Sequence, residues 1–176
     1  DLGFHQGPEF AVTPGGAAIQ KPEVRRALQY AVDVEAICAN LLNAPCTRMT
    51  GIVNPNNAHP TLKPYPYDPE ISEYLLDQAG YPRDANGVRF EMTLQAGEGR
   101  YLNDKNVVLA ICQYLDDVGV KTNCEIMDWS SVYIPLIIKK AAGPMYFIGS
   151  GGATWSPLYD MADLSKPDSG PNYTKW

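Results

Sequence analysis

Side chains able to do chemistry are thinly spread along these 176 residues. The segment IGSGGAT (148–154) offers a serine in a glycine-rich turn directly after an apolar run, MYFIG (145–149). In an α/β sheet that setting delivers either a phosphate loop or a nucleophile. A nucleophile elbow needs glycine two residues before the serine, and Ile148 stands there before Ser150. A dinucleotide loop needs a helix to receive the phosphate, and Pro157 is expected to interrupt it. What Gly149, Gly151 and Gly152 do permit is close approach of the backbone to a partner, or a plain turn. His59, between Ala58 and Pro60, has no candidate nucleophile near it in sequence. Asp116 and Asp117 are adjacent on a helix and point to different faces, so they form a solvated end and not an acid/base pair. No catalytic residue is nominated.

Binding chemistry is bounded by charge and by the metal-ligating residues. The four cysteines, at 38, 46, 112 and 124, contain no CxxC, and His5 and His59 lie far apart. Neither a metal nor a cofactor is expected. Cys38, Cys112 and Cys124 fall in the apolar phase of their elements, which fits buried thiols. In an exported protein the short-range pairs Cys38–Cys46 and Cys112–Cys124 are the alternative, one of three connectivities. A net charge of −6 without a Lys/Arg cluster argues against nucleic acid and against an anionic membrane surface. No stretch approaches the roughly 20 apolar residues of a membrane span, and no basic start followed by an apolar run resembles a signal peptide. With 45% hydrophobic side chains the chain can bury one sizeable core, so a single domain is expected.

The elements that must position these residues follow from periodicity and caps. Residues 1–8 carry neither helix nor strand signal, and FAVTPGGAAIQ (10–20) reads as a loop. Pro22 opens a helix with Val24, Ala27, Leu28 and Ala31 inward, and Asp33 caps a second with Val34, Ile37, Cys38, Leu41 and Leu42. Asn43 to Tyr67 is turn-rich, with one short extended piece at MTGIV (49–53), and its length marks it as cleft wall. Asp68-Pro69 opens a helix with Ile71, Tyr74 and Leu75 on one face, stopped by Gly80 and Pro82. Val88, Phe90, Met92 and Leu94 alternate with Arg89, Glu91 and Thr93 as a half-buried strand. A helix from Asn103 to Val118, a strand through Val120, Thr122, Cys124 and Ile126, a helix capped by Asp128 with Trp129, Val132, Tyr133, Leu136 and Ile137 inward, and the strand at 145–149 complete an α/β architecture. This is a mixed sheet flanked by helices. From Gly149 onward the chain loses periodicity, and its end reads as an imposed boundary or a crossing point.

Three segments in one order resemble the bacterial extracellular solute-binding proteins of family 5, the oligopeptide- and dipeptide-binding class: VRRALQYAVDVEAI (24–37), LKPYPYDPEISEYLLDQAGYP (62–82) and GRYLNDKNVVLAICQYLDDVGVKTNCEIMDW (99–129). SGPNYTKW (169–176) resembles a fourth. The resemblance implies the second, C-terminal lobe of a bilobal periplasmic-binding-protein-like fold, spanning 1–176, with the first lobe absent. It implies a monomeric, non-enzymatic component of an ABC importer that holds a peptide or other small solute between lobes and docks on permease subunits. The setting it implies is periplasmic or extracellular, with a lipid anchor on the full-length protein compatible with it. A hydrolase using His59, or a sensing or adhesion domain on the same fold, is the rival reading.

In the resembled family the segment after the last strand lines the cleft, often as Trp-x-Ala-Asp, with the carboxylate receiving a peptide ammonium group. The matching residues here are Ser150, Gly151, Gly152 and Ala153, without the carboxylate. Trp155, Tyr159 and Asp160 follow and are candidates for the same cleft, as are Arg100 and Tyr101, which come just after a strand end. A buried ammonium group left unpaired costs about 3–5 kcal/mol. The ligand expected on these residues therefore has no buried amine and is a sugar-like or other neutral solute stacked on Trp155, unless Asp160 has taken over the pairing. In the full-length protein Trp155→Ala should weaken ligand binding at least tenfold while Asp160→Asn leaves it nearly unchanged, read by calorimetry. The reverse pattern would identify Asp160 as a relocated amine anchor.

Overall fold

The computed structural model describes residues 2–46, 48–51, 53, 55–149, 156–167 and 169–175, with the backbone alone at 55, 159, 160, 163 and 165. Strands β1 (Leu2–Phe4), β2 (Phe90–Glu98), β3 (Val120–Asp128) and β4 (Met145–Phe147) form one sheet in the order β1-β4-β2-β3. β2 pairs in parallel with β3 from Phe90↔Val120 to Glu98↔Asp128, and with β4 from Leu94↔Met145 to Ala96↔Phe147. β1 runs antiparallel to β4, with Leu2 opposite Phe147. The helices are α1 (Pro14–Ile19), α2 (Pro22–Ala31), α3 (Val34–Ile37), α4 (Pro69–Gln78), α5 (Asp104–Asp117), α6 (Ile134–Ile138) and α7 (Pro157–Ser165). Wide, π-type turns extend α3 through Cys38–Leu42 and precede α6 as Trp129–Tyr133. The strand–helix–strand–helix–strand order expected of the second half is present, and the mixed sheet with flanking helices is the expected fold class.

Alternation along β2 decides what packs on each face. Phe90, Met92, Leu94 and Ala96 face the main core with Ile19, Leu28, Val108 and Leu115. Gln95 and Gly97 face the opposite side, where Tyr133, Ile137, Ala142 and Tyr146 form a second cluster. The caps work as expected. Asp33 accepts from Ala36 N–H, Asp68 from Ile71 N–H and Asp128 from Ser131 N–H. Gly80 (φ 88°) lets Tyr81 N–H return to the Leu76 carbonyl and close α4. Arg89, placed by alternation on the solvent face, is in fact buried: its side chain is 2% exposed. It pairs with Glu73 at 3.1 Å and with Asp77, and donates to the carbonyls of Val118 (2.8 Å) and Tyr81 (2.7 Å).

Several expectations are overturned. Residues 2–4 form β1, because β4 offers a strand edge that no local signal announces. The Pro-Gly-Gly stretch is not a loop but α1, with Thr13 Oγ1 capping Gly16 N–H at 3.0 Å and Pro14 in the first turn. Its glycines are there for space: a Cβ on Gly15 would lie 2.5 Å from the Glu91 carbonyl, and one on Gly16 would strike the Phe10 carbonyl. No strand forms at 49–51 or 53, and Ile52 lies outside the described residues. On α4 the buried side is Ser72 and Leu76, flanked by Leu75 and Ala79, and Ile71 and Tyr74 are exposed. The two stripes share Leu75, and packing selects the slimmer one against α2. Val132 is likewise exposed. Finally, Pro157 opens α7 instead of interrupting a helix. The case against a dinucleotide loop rests instead on Thr154, which stands where the third glycine would be.

β1 leads into a buried histidine. His5 Nε2 donates to the Lys140 carbonyl at 2.9 Å and Nδ1 accepts from Gly7 N–H at 3.1 Å, so the neutral Nε2–H tautomer satisfies both. Burial holds its pKa below the ordinary 6.5, outweighing the Lys140 carbonyl and Glu9, which act to raise it. The unfolded chain then takes up a proton before the folded one. His5's contribution is complete above 6.5 and is lost as pH falls below it. Thermal midpoints should decline between about pH 7 and about pH 5 in the native protein, and His5→Asn should flatten that decline. Carboxylate effects belong to a lower window, below about pH 4.

Candidate ligand-binding site

The three parallel strands deliver their carboxyl ends to one edge of the sheet, with Glu98 opposite Asp128 and Ala96 opposite Phe147. The residues that leave those ends are Gly99, Arg100 and Tyr101 after β2, Trp129 after β3, and Ile148 and Gly149 after β4. In open α/β sheets this edge is where ligands bind.

Each is held by an identifiable contact. Gly99 (φ 93°) turns the chain out of β2. The loop then wraps the carboxylate of Asp104, which is 6% exposed and accepts from Arg100 N–H (2.9 Å), Tyr101 N–H (3.0 Å) and Lys105 N–H (2.8 Å). Burial acts to raise the Asp104 pKa, but these backbone donors outweigh it and hold the group below the usual carboxylate value. Asn103, at φ 53°, ends the loop and donates from Nδ2 to the Leu41 carbonyl at 2.9 Å.

An aromatic platform follows from this placement. The Tyr101 ring meets Trp129 edge-on at 5.4 Å and Phe147 at 6.3 Å, and Trp129 lies 5.7 Å from Tyr133. The Tyr101 hydroxyl accepts from Gly149 N–H at 2.9 Å, tying the β2 loop to the end of β4. Beneath them Tyr133 is fully buried, and its hydroxyl donates to the Phe147 carbonyl at 2.7 Å with the Gln95 carbonyl 3.1 Å away. Burial pushes that phenol well above its ordinary pKa, so it stays a donor. The Arg100 guanidinium lies 5.9 Å from the Tyr101 ring centre and 5.8 Å from that of Trp129. Among the described residues no carboxylate pairs with it. Glu98 is engaged by Lys105 at 3.2 Å, and the Asp128 carboxylate by Ser131.

Of the residues nominated from sequence, Arg100 and Tyr101 are brought together at this edge. Ser150, Gly151, Gly152 and Trp155 lie outside the described residues, as does Ala153. Tyr159 and Asp160 fall in α7, where the backbone alone is described. His59 is exposed and bonds Thr61 Oγ1 at 2.9 Å. Sequence reasoning missed Trp129, which it assigned to the helix interior. The signal was available: Trp129 follows the end of β3 as Arg100 follows that of β2. The cysteines pair as Cys38–Cys46 and Cys112–Cys124, the export alternative, and no thiol is free among the described residues. No group of metal-ligating side chains is assembled among the described residues either.

Residues 4–172 match the family of bacterial extracellular solute-binding proteins, family 5 middle. The chain belongs to this family. A curated relative, the glutathione-binding protein GsiB of Shigella flexneri, is 37% identical over 108 residues, 61% of this chain and 20% of its own length. The periplasmic binding protein DppA of Helicobacter pylori, solved with the peptide STSA, superposes with a TM-score of 0.75 at 20% identity over 99% of this chain and 32% of its own. AgaA of A. tumefaciens, solved with agropinic acid, gives 0.74 at 26% identity, covering 92% of this chain and 30% of its own. The chain thus spans about a fifth of the curated relatives and about a third of the solved ones. Its fold is that of part of a periplasmic binding protein, and the family is one of extracellular solute-binding proteins.

The platform depends on Gly97, where a Cβ would lie 2.7 Å from Trp129 and 2.8 Å from Tyr133. Gly97→Ala should destabilise the fold by about 1–3 kcal/mol through overpacking. Denaturant unfolding would measure that loss, and a changed near-ultraviolet dichroism would report the displaced Trp129. Unchanged values for both would show that the contact is slack.

Proposed function

We propose that this chain is one lobe, the second, of the solute-binding component of an ABC importer, and that the edge carrying Arg100, Tyr101 and Trp129 is its half of the ligand cleft. The full-length protein, a periplasmic or extracellular monomer compatible with a lipid anchor, captures a small solute between two lobes and delivers it to permease subunits in the membrane. The observation that carries this reading is the Arg100 guanidinium, set against two aromatic rings at the carboxyl ends of parallel strands and left without a carboxylate partner among the described residues. A cation so placed is pre-organised for a ligand carboxylate, because its planar fork matches that group in two parallel hydrogen bonds.

A short peptide with a free carboxylate therefore suits this half of the cleft. The glutathione-binding relative supports the same chemistry. The neutral solute expected from Ala153 and Trp155 accounts for the lost amine anchor but leaves Arg100 idle. A peptide whose amine stays at the solvent or meets the other lobe accommodates both observations. Trp155, Tyr159, Asp160, Ser150, Gly151 and Gly152 are proposed as the adjoining wall, supplied by the segment that leaves β4.

Calorimetry on the full-length protein with glutathione, a dipeptide and a neutral disaccharide tests this. A carboxylate-bearing peptide should bind at micromolar Kd or tighter, and Arg100→Gln should weaken it at least tenfold, about 1.4 kcal/mol. Tight disaccharide binding that ignores Arg100→Gln would sink the carboxylate reading.

A further inference from the structure

We infer that the Cys38–Cys46 disulfide is a positioning element for the Arg100–Tyr101 loop, acting through Asn103. The turn Cys38–Leu42 is wound widely and ends on Asn43 in the left-handed region (φ 50°). The Cys38 carbonyl receives the N–H groups of both Asn43 and Ala44. The disulfide then ties Cys46 back to Cys38, across a Cα–Cα distance of 5.9 Å, and closes residues 39–45 into a covalent ring. Beyond the ring Arg48 donates to the Val32 carbonyl at 2.9 Å and to that of Gln29, fastening the outgoing chain to the end of α2.

The ring presents one carbonyl to the ligand edge. Leu41 O accepts the Asn103 side-chain amide at 2.9 Å, although the two residues are 62 positions apart. Asn103 holds a left-handed backbone, its Oδ1 accepts from Asn106 Nδ2 at 2.7 Å, and its own carbonyl receives Val107 N–H. Asn103 is thereby fixed to α5 on one side and to the ring on the other. Directly before it run Arg100, Tyr101 and Leu102, whose remaining polar anchors among the described residues are the Asp104 carboxylate and Gly149 N–H. A π-type turn is rare and occurs mostly as a single turn, so little regular helix backs it. Covalent closure is what keeps Leu41 O at one place. Cutting it frees that acceptor and loosens the loop that aims Arg100.

The inference rests on the proposed cleft for its functional meaning, but its test needs no ligand. Amide hydrogen exchange is followed in the oxidised full-length protein, in Cys38→Ser/Cys46→Ser, in Asn103→Gly and in their combination. Asn103→Gly keeps the left-handed backbone and removes only the donor. Exchange at residues 99–104 should accelerate at least tenfold in either variant and no further in the combination, while the paired amides of β2 and β3 are unchanged. Since coupling is reciprocal, Asn103→Gly should also speed exchange at Asn43 and Ala44. This second readout carries the test even if the cysteine variant fails to fold. Acceleration confined to 38–46 in the cysteine variant, effects that multiply in the combination, or unchanged exchange at Asn43 and Ala44 in Asn103→Gly would each overturn the inference. Loss of this coupling with glutathione binding intact overturns the positioning role alone. Intact coupling without binding overturns the cleft assignment instead.

Discussion

Everything at the candidate ligand edge depends on a missing methyl group. Gly97 faces away from the main core, in a strand that pairs with neighbours on both sides, and its bare Cα lets Trp129 and Tyr133 come close to the sheet. Tyr133 can then reach the Phe147 carbonyl where β4 ends. One aromatic hydroxyl thus anchors the end of a strand only three residues long. With that strand end fixed, Gly149 N–H meets the Tyr101 hydroxyl, and the loops after β2 and β4 hold each other. The edge is built from close contacts between backbone and ring, which explains the glycines at 97 and 149, while Gly99 serves the left-handed turn out of β2.

Much of the scaffold was legible in the chain, and what was legible was local. The capping aspartates at 33, 68 and 128, the prolines at 22 and 69, and the apolar stripe of α5 announce elements that their own residues stabilise. The elements that escaped are those whose reason lies elsewhere in the fold. β1 exists because β4 is beside it, and α1 contains Gly-Gly because the β2 backbone at Glu91 and the Phe10 carbonyl leave no space for side chains. Ile71 and Tyr74 were favoured as the inner face of α4 for their size, whereas Ser72 and Leu76 are buried. Composition ranks residues by hydrophobicity, but it cannot measure how near α2 will come.

The candidate site divides along the same line. Arg100 and Tyr101 were legible from the rule that ligands meet strand ends, and Trp129 would have been legible from the same rule applied to β3. That no carboxylate pairs with Arg100 among the described residues was not legible. It depends on Glu98 being taken by Lys105 and Asp128 by Ser131, contacts set by how the chain turns as it leaves each strand. A charge balance read along the chain counts all these groups alike. The fold decides which of them is left over.

The pairing of β1 with β4 joins residues 2–4 to residues 145–147. On a ribosome β1 must wait for β4 to be made before the two can pair, and closing so long a loop costs entropy before any contact repays it. The early helices α2 and α4, which pack on each other across a shorter stretch, can associate well before then. The β1–β4 pairing is accordingly a late step in folding, after these local helix contacts.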